Sequence, residues 1–159
     1  MEKGAEISEC SKYRYSLWRI WDKSKPMVMF LMLNPSTADA TEDDNTITRC
    51  INYAKSWGYG SLYVCNVFAY RSTHPLELLK QTDPFGPENY KYIDETATKA
   101  DKIICAWGNK PVIQKFMPYD VVHLRYEEFL PKMYYLALSK HYVPIHPLYL
   151  KADLVPKKL

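Results

Sequence analysis

Apolar and polar positions alternate from Tyr13 to Trp21 and break at Asp22-Lys23-Ser24-Lys25-Pro26. Alternation of this kind marks a half-buried strand, and the proline-containing polar break marks a turn. An unbroken apolar run then covers Met27–Leu33 and stops at Asn34-Pro35-Ser36-Thr37. Two strands joined by so short a turn predict an N-terminal antiparallel hairpin. Downstream, Ile47, Cys50, Ile51 and Ala54 recur at helical spacing. They predict a helix from Thr46, capped by Asp44 or Asn45 and stopped at Gly58.

Further apolar runs cover Leu62–Val67, Lys102–Ala106 and Met133–Leu138, with helical segments predicted at Pro75–Lys80 and Pro87–Lys99. Between Lys110 and Lys132, the prolines Pro111, Pro118 and Pro131 interrupt any long helix. Strands apolar on both faces, alternating with helices, predict an α/β fold: a short, mainly parallel sheet with helices on both sides. Ligands of such folds bind at the carboxyl ends of the strands. Those ends carry Asn34, Asn66, Trp107-Gly108-Asn109 and His146, so one pocket is expected to collect them.

Composition narrows the class. The 159 residues are 47% hydrophobic and 25% charged, ordinary for one globular domain spanning residues 1–159 with a core over about 13–150. A net charge of +3 permits nucleic-acid binding without arguing for it. No apolar stretch is long enough to span a membrane and the N-terminus has no signal-peptide pattern, so a soluble cytoplasmic protein is expected. Cys10, Cys50, Cys65 and Cys105 are far apart with no C-x-x-C, and Cys65 and Cys105 are expected as small buried hydrophobes. The nucleotide-cradling G-x-x-x-x-G-K-[ST] and G-x-G-x-x-G patterns are absent, as are G-x-S-x-G and H-E-x-x-H.

Each remaining motif has two readings. Asn34-Pro35-Ser36-Thr37 either holds a water or ligand at the strand end or is a turn. Asp39, Glu42, Asp43 and Asp44 either supply acid–base or metal chemistry or cap the following helix, a role that one of them needs. Their spacing does not match a calcium loop. Arg49 either binds substrate or pairs with that acidic loop. Arg71, among the hydroxyls of Ser72 and Thr73, either contacts phosphate or is a solvated loop residue. Asn66 can read a nucleobase, because an amide offers a donor beside an acceptor, or it satisfies nearby backbone. His146 has a catalytic and a structural reading, and the histidines show no metal spacing.

Leu31–Ala40, Asp43-Asp44 with Thr46 and Arg49, Trp57–Gly60, Asn66–Arg71, Ala106-Trp107-Gly108 and His146–Leu150 together resemble a bacterial and phage family, catalogued as domain of unknown function 1643. More distantly, the order Leu33-Asn34-Pro35, Tyr63–Val67, Ile103–Gly108 and His146-Pro147 resembles the uracil-DNA glycosylase superfamily. That resemblance implies a three-layer α/β/α sandwich and excision of an unusual or modified nucleobase by N-glycosidic hydrolysis, without an obligatory cofactor or metal. DNA or a nucleotide is the implied partner, and repair or phage defence the implied setting.

The resemblance assigns Asn34 to the attacking water, Asn66 to the base edge, and His146 with Pro147 to phosphate or leaving-group charge. Phe68, Tyr70 or Trp107 would stack on the base. Pro35, Ser36, Thr37, Asp39, Arg49, Arg71, Gly108 and Asn109 complete the expected substrate contacts, and Asp43 and Asp44 are further catalytic candidates. Two rivals stand beside this reading: a non-catalytic nucleic-acid-binding module, and a metal-assisted enzyme on free nucleotides that uses the acidic loop.

Overall fold

The computed structural model describes residues 1–108, 110–117 and 125–159. Seven strands form one mixed sheet: β1 (Glu2–Ile7), β2 (Arg14–Ile20), β3 (Met27–Met32), β4 (Ser61–Asn66), β5 (Lys102–Ala106), β6 (Met133–Tyr135) and β7 (Lys157–Lys158). Their order across the sheet is β1-β2-β4-β3-β5-β6-β7. The middle strands β4, β3, β5 and β6 are parallel, while the pairs β1–β2, β2–β4 and β6–β7 toward the two edges are antiparallel.

The unbroken apolar run of β3 follows from its central place, flanked by β4 and β5 and covered on both faces. On one face Met29, Leu31, Cys65, Ile103 and Cys105 pack with Ile93 and Ala97 of α2 (Asn89–Lys99) and Val112 and Ile113 of α3 (Lys110–Phe116). On the other, Val28, Phe30, Leu62, Val64 and Ile104 pack with Ile47, Cys50, Ile51 and Ala54 of α1 (Asn45–Ser56). Cys50, Cys65 and Cys105 are buried as small apolar groups, and burial pushes the Cys65 thiol up to about 12. Among the described residues, no helix is long and apolar enough to cross a membrane.

The predicted hairpin is replaced by a different pairing. Strand β2 does not lie beside β3; β4 inserts between them, antiparallel to β2 and parallel to β3. The N-terminal hairpin that does form joins β2 to β1, whose sequence Glu2–Ile7 is too polar to announce a strand. Cross-strand packing explains the choice: Trp18 and Tyr63 are register partners with stacked rings 6.0 Å apart. The turn after β2 is free to lead elsewhere because Gly60 lets it close over the start of β4. Trp21 N–H and Asp22 N–H both donate to Gly60 O at 3.0 Å, and a side chain at Gly60 would meet the Asp22 carbonyl oxygen at 1.9 Å.

Two smaller expectations also change. Pro75–Lys80 is a 3-10 turn, and the last strand expected over Met133–Leu138 closes after Tyr135.

Candidate functional site

The parallel strands deliver their carboxyl ends to one place, and backbone bonds lock those ends together. Val67 N–H donates to Met32 O at 2.8 Å and Phe68 N–H to Leu33 O at 2.9 Å, carrying the β3–β4 ladder past the strands. Gly108, just beyond β5, donates its N–H to Pro144 O at 2.8 Å and so docks the His146 segment against β5. Its φ of +52° is left-handed, a conformation that glycine adopts without the usual Cβ penalty. A cleft of about 380 Å³ results. Leu33, Asn34 and Ser36 line it from the end of β3, Trp107 and Gly108 from the end of β5, and His146 and Tyr149 from the last 3-10 turn. Thr46 at the start of α1 and Ser72, Thr73 and Pro75 close the sides.

Asn34 is fixed in one orientation. Its Nδ2 donates to Ser72 O at 2.8 Å and to Pro35 O at 3.1 Å, so both amide hydrogens are spent on backbone. The oxygen Oδ1 is left to accept from whatever enters the cleft. His146 is fixed equally well. It caps the 3-10 turn Pro147–Tyr149, where its Nδ1 accepts from Leu148 N–H at 3.2 Å. A ring accepting at Nδ1 carries its proton on Nε2. Burial pulls its pKa below the ordinary histidine value, against a smaller opposing pull from Asp44, so the ring is neutral at pH 7. The cleft lining therefore includes an amide acceptor and a neutral N–H donor.

The acidic loop turns out to be a built scaffold. Arg19 of β2, fully buried, donates through Nε to Asp43 Oδ1 at 2.7 Å and through Nη2 to Asp39 O at 2.7 Å and Glu42 O at 3.3 Å. Lys3 pairs with the other Asp43 oxygen at 3.3 Å. Asp39 Oδ1 accepts from the N–H groups of Thr41 and Glu42, which hold its carboxyl below the usual range. Asp44 is the N-cap of α1 and accepts from Ile47 N–H at 2.9 Å. Among the described residues no group of three or more His, Cys, Asp or Glu side chains is placed to hold a metal ion.

Several expected contacts are thereby corrected. Asp43 spends both carboxylate oxygens and Asp39 its Oδ1 on the fold, and neither residue lines the cleft. Arg49 does not pair with the acidic loop; its guanidinium lies over the Tyr53 ring at 5.6 Å. Phe68 is buried against Phe85 and Phe116 in the core and has no face for a base. Tyr70 packs edge-on against Tyr13, and Arg71 Nη1 reaches Ser11 O at 3.3 Å. Pro35 and Pro147 are buried supports of the loop and the turn, and Thr37 is exposed outside the cleft lining. Asn66, the last residue of β4, is buried and outside that lining. Asn109 lies outside the described residues.

The sequence reading missed Thr46, Ser72, Thr73, Pro75 and Tyr149 as site residues. Of these only the hydroxyl cluster after Arg71 left a signal. It also missed Arg14 and Arg19, two charges set among aromatic residues of a strand, which is itself the mark of inward-facing cations with partners.

An α/β protein with a mixed sheet and a polar cleft at its parallel strand ends is thus defined. The chain belongs to the family described as protein of unknown function (DUF1643), whose profile matches residues 14–148. No curated protein and no solved structure matches the chain.

Proposed function

We propose that the protein is a hydrolase of the DNA-glycosylase kind, which excises an unusual or modified nucleobase extruded from DNA. The observation that carries this reading is that one cleft is lined by both Asn34, with only Oδ1 unspent, and a neutral His146 with its proton on Nε2. Hydrolysis of an N-glycosidic bond needs these two functions. An acceptor orients a water toward the sugar carbon as the carbon–nitrogen bond breaks, and a donor meets the negative charge that develops on the leaving base. Trp107 offers an aromatic surface in the lining, and Thr73 offers a hydroxyl suited to phosphate.

The separate cores on the two sheet faces support a three-layer α/β/α arrangement, and the order of strand-end motifs supports kinship with the uracil-DNA glycosylases. Chemistry run by the acidic loop has less support, because Arg19, Lys3 and backbone N–H groups already occupy those carboxylates.

DNA duplexes and single strands bearing uracil or phage-type modified bases test the proposal, with abasic sites and the released base read by mass spectrometry. Release by the wild type that Asn34→Ala abolishes is the expected result. Tight binding across the panel without any released base overturns it in favour of a binding module.

A further inference from the structure

Beside the cleft stands a projection that the excision chemistry does not use. After β6 the chain doubles back through residues 138–144. Leu138 and Pro144 form an antiparallel bridge, and Ile145 N–H donates to Ala137 O at 2.9 Å at its base. Within the turn, Ser139 N–H donates to Val143 O and Tyr142 N–H to Ser139 O, both at 2.9 Å. Ser139 Oγ accepts from the N–H groups of His141 and Val143, each at 3.2 Å. With its backbone paired in this way, the hairpin has a defined shape. Tyr142 has a φ of +60°, the left-handed region that bulky residues rarely occupy, and it is 80% exposed. A ring so exposed adds nothing to the core that would offset the strain, which points to a use at the surface.

Placement and charge identify what the ring meets. Pro144 is buried and accepts from Gly108 N–H at 2.8 Å, and Gly108 lines the cleft. Tyr142 lies two residues before Pro144, within about 7 Å along the backbone. Tyr149, also exposed, lines the cleft itself, and the two tyrosines bracket His146 in the chain. Residues 129–152 contain no Asp or Glu, although the whole chain has 18, and Lys140 and Lys151 within them are exposed. Asp44, whose charge reaches His146, is committed to the cap of α1. Exposed rings set among cations complement a strand of bases and phosphates.

We propose that the 138–144 hairpin and Tyr149 form a platform for single-stranded DNA. Unpaired bases neighbouring the one in the cleft stack on Tyr142 and Tyr149, while Lys140 and Lys151 take phosphates. Two arguments favour a single strand over a duplex. Side chains that wedge into duplex steps are apolar, whereas a phenol keeps its hydroxyl in water and offers a flat face to a base already unstacked. Duplex binders neutralise many phosphates, and a net charge of +3 leaves this chain little for that task. A single strand draws part of its affinity from stacking instead.

That the bound strand is the substrate rests on the glycosylase reading; the platform itself does not. It adds to that reading the strand state of the substrate, in which no base pair must open before a base enters the cleft.

Fluorescence anisotropy of the intact protein, with a labelled mixed-sequence single strand and the same sequence as a duplex, tests the platform. The single strand should bind the more tightly. Tyr142→Ala and Tyr142→Gly should each weaken single-strand binding about tenfold, and Tyr142→Phe should bind as wild type does. Tyr142→Gly also controls for folding, because glycine adopts a positive φ freely. Its melting temperature should stay level or rise while its affinity falls. Lys140→Gln should weaken binding and flatten its dependence on salt. Equal or tighter binding of the duplex, no binding of either form, or wild-type affinity in Tyr142→Gly overturns the platform. Wild-type affinity in Tyr142→Gly together with base release from DNA would refute the platform and leave the glycosylase reading standing. Binding that depends on Tyr142, with no base released from any substrate, would uphold the platform and overturn that reading.

Discussion

Asn34 Nδ2 donates to the carbonyl oxygen of Ser72 at 2.8 Å, tying the end of β3 to the segment beyond β4 across 38 residues of chain. This bond and its companion to Pro35 O determine which amide atom faces the cleft. Asn34→Asp replaces the donor with a second acceptor and aims a carboxylate at two carbonyl oxygens. It should cost about 1–3 kcal/mol of stability and, in the proposed reaction, lower base release by roughly 10²-fold or more. Urea denaturation and single-turnover kinetics on the same variant read the two effects. Retained release would remove Asn34 from the mechanism.

Arg19 and Asp43 should behave as scaffold rather than as catalysts. Asp43→Asn keeps the shape but loses a charge-assisted bond to a fully buried guanidinium, at about 1.5–3 kcal/mol. Arg19→Met should cost more, since Asp39 O, Glu42 O and Gly4 O lose their donor together. At a temperature where Asp43→Asn is folded, its turnover should stay within a few-fold of wild type. A stable but inactive Asp43→Asn would return the carboxylate to the chemistry.

The pH dependence of His146 follows from its depressed pKa. The unfolded chain takes up a proton near the ordinary value of 6.5, and the folded protein resists until a lower pH. Between those values the unfolded state binds more protons, so this residue's contribution is intact above about pH 6.5 and is lost as pH falls through the window. Protonation also places a hydrogen on Nδ1, which ends its bond from Leu148 N–H. Base release should therefore have an acid limb below pH 6.5. The difference in melting temperature between wild type and His146→Gln, followed across that window, should narrow or change sign on the acid side. A flat difference would show that the ring does not titrate there.

Tyr149 is 84% exposed on the lip of the cleft, its ring 6.3 Å from that of His146. Tyr149→Ala should leave stability within about 0.5 kcal/mol and weaken single-stranded DNA binding by about 1–3 kcal/mol, the usual worth of one stacked base. Fluorescence anisotropy with a labelled oligonucleotide measures this. Unchanged affinity would take the aromatic lip out of the interface.

The central strands and the strand-end location of the site were legible because both depend on local pattern. The run into Asn34, the Lys102–Ala106 strand and the capping of α1 by Asp44 are each written within a few neighbouring residues. The β2–β4 pairing was not, since it depends on Trp18 meeting Tyr63, and no periodicity reports which strand a ring will find. The acidic loop kept two readings for a related reason. Asp39 and Asp43 look available until Arg19 is seen to arrive from another strand. Phe68 illustrates the same limit: its position after a strand suggested an open aromatic face, and only Phe85 and Phe116 show that the face is taken.

The insertion of β4 between β2 and β3 also dictates an order of assembly. During synthesis β2 and β3 emerge early and in sequence, yet neither can pair with the other. Strand β2 has only β1 until Ser61–Asn66 arrives, and β3 waits for that segment and then for Lys102–Ala106. The Pro144–His146 segment docks on Gly108 later still. Such non-local pairings form slowly. Asn34, made among the first residues, thus waits 38 residues of chain for the Ser72 carbonyl that orients it, and a nascent chain cut short before His146 lacks the segment that completes the cleft.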